Sequence, residues 1–198
     1  MTTPTTAPQW LRRALAQRPP GYRVALGRNL YYPPQGVSSS GSPVNGSLAV
    51  APVPLCIDRV ALVTAVTWKI NTAGTTGALF RPVIYADDGT GTMPGALLWD
   101  GGTFDATVTG VGTATPTALA ITSGVIWLGG VTQGTPTTVP VLTTVNNNSG
   151  IALPMTTNDP GQWSMAAVQS AVTGAAPSAF TTTPAYTSLV PRMTLRLN

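Results

Sequence analysis

Residues 81–102 have the sequence RPVIYADDGTGTMPGALLWDGG, and this stretch decides the fold. The apolar run VIY at residues 83–85 favours a strand, and it ends at a loop of aspartate, glycine and threonine at residues 87–92. After a Pro-Gly corner, the chain resumes as the apolar run ALLW at residues 96–99 and stops at Asp-Gly-Gly. This order predicts two strands joined by a polar loop.

Similar runs flank this stretch on both sides. Residues 57–70 form a long β-branched run, and residues 124–134, GVIWLGGVTQG, form an apolar run bounded by glycines. In residues 189–197 the last part alternates apolar and polar side chains, as a half-buried strand does. Residues 173–183 are predicted to form a loop of small residues. Eight to ten short strands are predicted in total, with no helix after residue 20. This spacing predicts an all-β fold, a jelly-roll-like antiparallel β-sandwich.

The order of motifs in residues 55–135 resembles a module found in structural proteins of tailed bacteriophages. The resemblance is carried by IDRVALVTAV at 57–66, Ile84-Tyr85 with its Asp/Gly loop, the Pro-Gly corner before the Leu-rich strand, and Gly-x-x-Trp-Leu at 124–128. This pattern is similar to a β-sandwich of minor tail and fibre proteins, especially in phages that infect actinobacteria. The resemblance implies a class of virion protein, because such modules serve different positions in the particle.

The composition favours turns and extended segments over helices. The 198 residues include 21 glycines and 19 prolines, and 43% of the residues are hydrophobic, which is enough to form a core. Only 8% are charged, with no glutamate and with Lys69 as the only lysine. A surface with so little charge needs partners to cover it, and we therefore expect a homo-oligomer with apolar lateral surfaces. The resemblance to phage fibres makes a trimer the expected form.

Positive charge is concentrated in the N-terminal part of the chain. Residues 1–28 contain five arginines and no acidic residue, whereas residues 29–198 contain five basic residues and six aspartates. Residues 10–18 place apolar side chains along one helical face, and a Pro-Pro-Gly sequence ends this short helix. We expect residues 1–35 to form an anchoring arm with this one helix, and residues 36–198 to form the sandwich. The predicted anchor residues are Trp10, Leu11, Arg12, Arg13, Leu15 and Arg18.

The sequence offers few groups for catalysis or metal binding. It has no histidine or glutamate, and its single cysteine, Cys56, lies in an apolar context that suits a small buried residue. A pair of aspartates could act as a glycosidase dyad, but all except Asp58 lie within two residues of Gly, Pro or Thr, where aspartate stabilises turns. Asp87 and Asp88 resemble the start of a calcium loop, which here lacks a third acidic ligand and a bidentate glutamate. We therefore predict no enzymatic activity, no catalytic or metal-binding residues and no cofactor.

The tryptophans are the remaining candidates for binding sugar rings. Trp68, Trp99 and Trp127 lie in apolar strand contexts, which predicts contacts in the core or between subunits. Trp163 follows the turn-like sequence DPGQ and is the candidate contact for a host-surface glycan.

The expected partners are other virion proteins, bound through the N-terminal arm. Nucleic acid is not the expected partner, because prolines and a glycine interrupt the arginines of the arm. No run of 18 apolar residues suits a membrane span, and residues 1–8 lack the features of a secretory signal. The resemblance to phage structural proteins implies a virion protein that is assembled in the host cytoplasm. The expected function is that of a minor tail, baseplate or fibre protein. The alternatives are a capsid decoration or head-fibre protein and, in a different class, a carbohydrate-binding receptor-recognition module.

Overall fold

The computed structural model describes residues 31–32, 37–55, 60–90, 93–122, 124–146, 166–181 and 189–198. Within these ranges the chain is all-β, with fourteen strands and no helix. The predicted helix at residues 10–18, the predicted anchor residues, Cys56 and Trp163 lie outside them. No helix in the described part is long and apolar enough to cross a membrane.

The strands form two antiparallel sheets. Sheet A contains eight strands: β1 (Tyr31–Tyr32), β2 (Val37–Gly41), β4 (Ala61–Thr72), β8 (Gly110–Ala114), β9 (Ala120–Ile121), β11 (Val141–Asn146), β13 (Val190–Pro191) and β14 (Thr194–Leu197). Sheet B contains six strands: β3 (Leu48–Leu55), β5 (Ala78–Asp87), β6 (Pro94–Asp100), β7 (Phe104–Asp105), β10 (Gly124–Gly134) and β12 (Ala167–Gln169).

The longest strand of each sheet joins several neighbours. In sheet A, β4 pairs with β14 on one edge and β8 on the other, since Val66 and Thr67 pair with both strands. In sheet B, β10 lies between β3 and β5, with Gly129 opposite Val50 on one side and Val83 on the other. Sheet B therefore runs in the order β12, β3, β10, β5, β6, with β7 also paired to β5.

The main core fills the space between the two sheets. β4 contributes alternate side chains because every second residue of a strand faces the same side, and Trp68 is the largest of them. The Trp68 ring packs against Phe80 and Phe104, with ring centroids 5.3 Å and 4.7 Å away. The main core also includes Val53, Val63, Val66, Ile70, Ile84, Ile126, Leu128, Leu142, Met193, Leu195 and Leu197.

Sheet B is also covered on its opposite face. The covering segment, residues 170–181, follows β12 and is called the outer strap. Val172 and Ala176 of the outer strap are buried against this face, and Phe180 packs on Tyr85 with ring centroids 5.0 Å apart. The residues of sheet B in this second cluster are Leu48, Val50, Val83, Tyr85, Trp127 and Val131.

Burial on both faces explains the continuous apolar runs of sheet B. In β10 every residue from Ile126 to Gln133 is buried, whereas a strand with one solvated face would alternate. Gly129 lies where β10 passes closest to β3, and a Cβ at this position would lie 2.6 Å from Val50 Cα. Glycine is therefore required at the centre of the sheet because neighbouring backbone leaves no space for a side chain.

We expect the Thr132→Val variant to be more stable than the wild type by about 1 kcal/mol. Thr132 is fully buried in β10, and among the described residues its hydroxyl has no hydrogen-bond partner. Valine keeps the shape and removes the buried polar group. Urea denaturation provides the measurement, with Thr117→Val at an exposed position as the control that leaves stability unchanged. A destabilised Thr132→Val protein would contradict the expectation.

The structure confirms the coarse fold prediction. The chain is all-β and its two antiparallel sheets make a sandwich-like architecture, and Trp68 and Trp127 are core residues as predicted. The predicted strand count of eight to ten is too low, because four of the fourteen strands have only two residues. Such short strands show no periodicity in a sequence. The single strand predicted at 189–197 is present as two, β13 and β14, which pair with different strands of sheet A.

Candidate functional site

The site residues predicted from the sequence are not among those that the structure describes. This applies to the anchor residues of the N-terminal arm and to the glycan candidate Trp163. Of the other tryptophans weighed for sugar binding, Trp68 and Trp127 are buried, and Trp99 is partly buried against the main core. The described residues therefore point to a different set of polar side chains.

The aspartates of the Asp/Gly loops bind the backbone of their own turns, as predicted. Asp87 accepts a hydrogen bond from the Gly89 N–H at 2.9 Å, and Asp88 accepts one from the Thr90 N–H at 2.8 Å. Asp105 accepts one from the Thr107 N–H, and this bond lowers the pKa of Asp105 below its usual value. No group of three or more His, Cys, Asp or Glu residues that could hold a metal ion occurs in the described part of the chain.

Asp100 takes part in a larger network on the strap-covered face of sheet B. The Arg81 guanidinium donates from Nη1 to both carboxylate oxygens of Asp100, at 2.6 Å and 2.8 Å. Arg81 Nε also donates to Gln133 Oε1 at 3.0 Å. Three strands thus contribute one polar side chain each, because β5, β6 and β10 are neighbours in sheet B.

The network holds the outer strap through its backbone. Gln133 Nε2 donates to the carbonyl oxygens of Val172 and Gly174, at 2.8 Å and 2.7 Å. Asp100 Oδ2 accepts a hydrogen bond from the Ala176 N–H at 3.0 Å. The strap has almost no strand pairing of its own, so its buried backbone groups depend on such partners. We call Arg81, Asp100 and Gln133 the strap network.

A second set of bonds fixes the end of the strap. The Tyr85 hydroxyl donates to the Pro177 carbonyl oxygen at 2.8 Å, and the Leu97 N–H donates to the Ser178 carbonyl oxygen at 2.8 Å. Burial raises the pKa of Tyr85, and the negative charge of Asp100 raises it further. The Tyr85 hydroxyl therefore keeps its proton, and its hydrogen bond to the strap, above the pH at which an exposed tyrosine ionises.

The pKa of Asp100 reflects a balance between burial and hydrogen bonding. Burial alone would raise it, but the N–H groups of Ala176 and Gly102 and the Arg81 guanidinium favour the charged form. Their combined effect is larger, so the pKa of Asp100 lies below its usual value. The carboxylate is therefore ionised whenever the strap is in place near neutral pH.

Acid is expected to weaken the attachment of the strap. Because the pKa of Asp100 is lowered by folding, its contribution to stability is complete above the unfolded value of 3.8 and is lost as the pH falls through the folded value. We expect the Asp100→Asn variant to be less stable than the wild type at neutral pH and to lose less stability on acidification. Urea denaturation at several pH values checks this. Parallel loss in both proteins would show that other aspartates carry the acid dependence.

The opposite surface of the sandwich, the outer face of sheet A, is lined by hydroxyl and amide groups. The Thr67 and Thr194 hydroxyls are 2.5 Å apart across β4 and β14. Asn71 donates to the Ser40 hydroxyl at 2.8 Å and accepts from the Thr143 hydroxyl at 3.1 Å. These bonds tie four strands together on a surface with little charge. They stabilise the sheet.

Sequence reasoning missed the strap network. Arg81 precedes the predicted strand at residues 83–85, and Gln133 lies within an apolar run, so neither residue is predicted to form a site. Their signal is the presence of a charged residue and an amide at ends of runs that are otherwise apolar. A buried side chain of either type needs a partner, although the sequence does not show which one.

The chain matches no protein-family model and no curated protein sequence.

Proposed function

We propose that the protein is a structural component of a tailed-bacteriophage virion, with a minor tail, baseplate or fibre position. The observation that carries this proposal is the order of motifs in residues 55–135, which resembles the sandwich module of such proteins. The architecture supports it, because these motifs supply β4, β5, β6 and β10, the strands on which both sheets are built. We propose further that the sandwich is of jelly-roll type and non-enzymatic.

The proposed division of labour assigns attachment to residues 1–35 and display to residues 36–198. The proposed role of the arm, with its predicted helix and its arginines, is to bind neighbouring virion proteins, while the sandwich faces outward as a homotrimer. Tyr31 and Tyr32, near the end of the proposed arm, pair with β14 of sheet A. The polar outer face of sheet A and Trp163 are the surfaces proposed to meet host glycans.

Locating the chain in a cryo-EM map of the whole particle tests this proposal. Density at the tail supports it, whereas density on the capsid surface would favour a decoration or head-fibre protein. Absence from purified particles would overturn the virion assignment. A chain that lacks residues 1–28 is expected to fold and to remain unattached, and its incorporation into particles would contradict the role of the arm.

A glycan array with the purified chain tests host recognition separately. Binding that is lost in the Trp163→Ala variant would favour the carbohydrate-binding function. Glycosidase or esterase turnover by the purified chain would overturn its assignment as a structural protein.

A further inference from the structure

One edge of sheet A is a strand without charge that no other strand of the described ranges covers. β8 pairs with β4 on one side and has no other strand partner among the described residues. Val111 of β8 is 68% exposed, and Thr113 is exposed on the same face. An edge strand presents unpaired backbone N–H and C=O groups, and lysine, proline or a covering segment usually protects it. β8, with the sequence GVGTA, has none of these.

The other edges are shorter, covered or less suited to pairing. The outer edge of β6 contacts the strap through Ala96 and Leu97, and β12 has only three residues. β2 is as long as β8 but contains three serines, which form weaker cross-strand contacts than β-branched residues. The sequence around β8 is also exceptional, since no charged residue occurs between Asp105 and Asp159.

We propose that β8 pairs with β8 of a second copy of this chain, in antiparallel orientation about a two-fold axis at Gly112. Antiparallel pairing of identical strands is the contact that a two-fold axis generates, and it joins two A sheets into one. In this register Val111 of each copy lies opposite Thr113 of the other copy, which makes two equivalent cross-strand pairs. Both are β-branched, and such cross-strand pairs stabilise antiparallel strands.

The absence of charge favours an identical copy as the partner. When a charged strand pairs with the same strand of a second copy, like charges come close together. β8 contains no charged residue, so its pairing with a second β8 causes no such repulsion. The nearest cation on the same face is Lys69, which lies opposite Val111. The two Lys69 side chains would be three strand spacings apart, about 14 Å, which exceeds the screening length of about 10 Å. Gly112 suits a position on the two-fold axis because glycine has no side chain that could hinder the approach of the second copy. The space beside Gly112 on the core side is occupied by the Trp68 ring of its own chain.

This contact is independent of the trimer proposed above. A two-fold contact turns a monomer into a dimer, and it turns a trimer into a six-copy particle where the two-fold axis is perpendicular to the three-fold axis and meets it. Failure of the trimer or of the virion assignment would therefore leave the proposal about β8 intact.

The test compares the molar mass of the purified chain with that of a Val111→Glu/Thr113→Glu variant, by sedimentation equilibrium at micromolar concentration. The variant places glutamates directly opposite each other at the proposed contact, and we expect it to have half the mass of the wild type. The matched control is Val44→Glu/Thr173→Glu, which adds the same charges at exposed positions away from β8 and keeps the wild-type mass. A Val111→Lys/Thr113→Lys variant is also expected to have half the mass, and mixing it with the glutamate variant should restore the full mass.

Equal masses for the wild type and the glutamate variant would overturn the proposal, as would a mixture of variants that stays at half mass. Hydrogen exchange of the unmodified chain gives a measurement that needs no variant to fold. We expect the amides of residues 110–114 that point away from β4 to exchange at least about tenfold more slowly at the concentration where the mass doubles, since pairing protects only the N–H groups that face the second copy. Exchange at the same rate at all concentrations would also overturn it.

Discussion

The Gly129→Ala variant is expected to be less stable than the wild type by about 3 kcal/mol. The added methyl group would meet the backbone of Ala49 and Val50 in β3. Backbone in the middle of a sheet cannot move aside as a flexible side chain can, so β3 and β10 would have to separate. Both cores depend on this pair of strands, and the cost should appear in the global free energy of unfolding, measured by urea denaturation.

The control for this prediction is Gly174→Ala. Gly174 lies in the outer strap, and a Cβ there would meet no atom within 4 Å. Alanine should therefore leave stability nearly unchanged or raise it slightly, because it restricts the unfolded chain. Equal losses in the two variants would mean that general backbone effects, rather than the close approach of β3, determine the result.

The Arg81→Met variant is expected to lose about 2 to 3 kcal/mol of stability and to loosen the outer strap. Methionine keeps the apolar volume but leaves Asp100 without its ion pair and Gln133 without its donor. The side chains of Arg81 and Asp100 are 13% and 21% exposed, so the loss should be smaller than for a fully buried pair. Urea denaturation gives the free energy, and limited proteolysis within residues 170–181 reports on the strap.

Two further variants distinguish the loss of the strap network from the loss of a positive charge. Arg192→Met removes a partly buried arginine from the link between β13 and β14, and we expect it to leave the strap resistant to protease. Arg81→Met/Asp100→Leu removes both members of the ion pair, and it should recover part of the stability because no uncompensated carboxylate remains. A double variant that is no more stable than Arg81→Met would show that lost hydrogen bonds to the strap dominate.

The parts of the fold that depend on local pattern could be predicted from the sequence. The strand, loop and strand of residues 81–102 are present as β5 and β6, and the glycine-bounded run is β10. The aspartates were also assigned correctly to turns, because aspartate binds backbone N–H groups only two residues away. In each case the pattern that allows the prediction is local, because it extends over only a few neighbouring residues.

The candidate site depends on distant contacts, and these could not be predicted. Residues 173–183 were predicted to be a loop of small residues, and residues 173–181 are irregular as predicted. The sequence did not show that this segment lies over sheet B. Small side chains allow the strap to lie close to the sheet, but they show no periodicity that indicates burial. The partners of its backbone, Asp100 and Gln133, come from strands 76 and 41 residues away in the chain.

The outer strap has a consequence for synthesis on the ribosome. β3 begins at Leu48, whereas the outer strap that covers the outer face of sheet B begins at residue 170, and β14 closes the main core later still. At about 5 to 20 residues per second, translation leaves the apolar strands of the nascent chain uncovered for about 6 to 24 seconds. Strands without charge are prone to aggregate during such an interval. We therefore expect the nascent chain to require a chaperone that binds extended apolar segments until residues 170–197 have been synthesised.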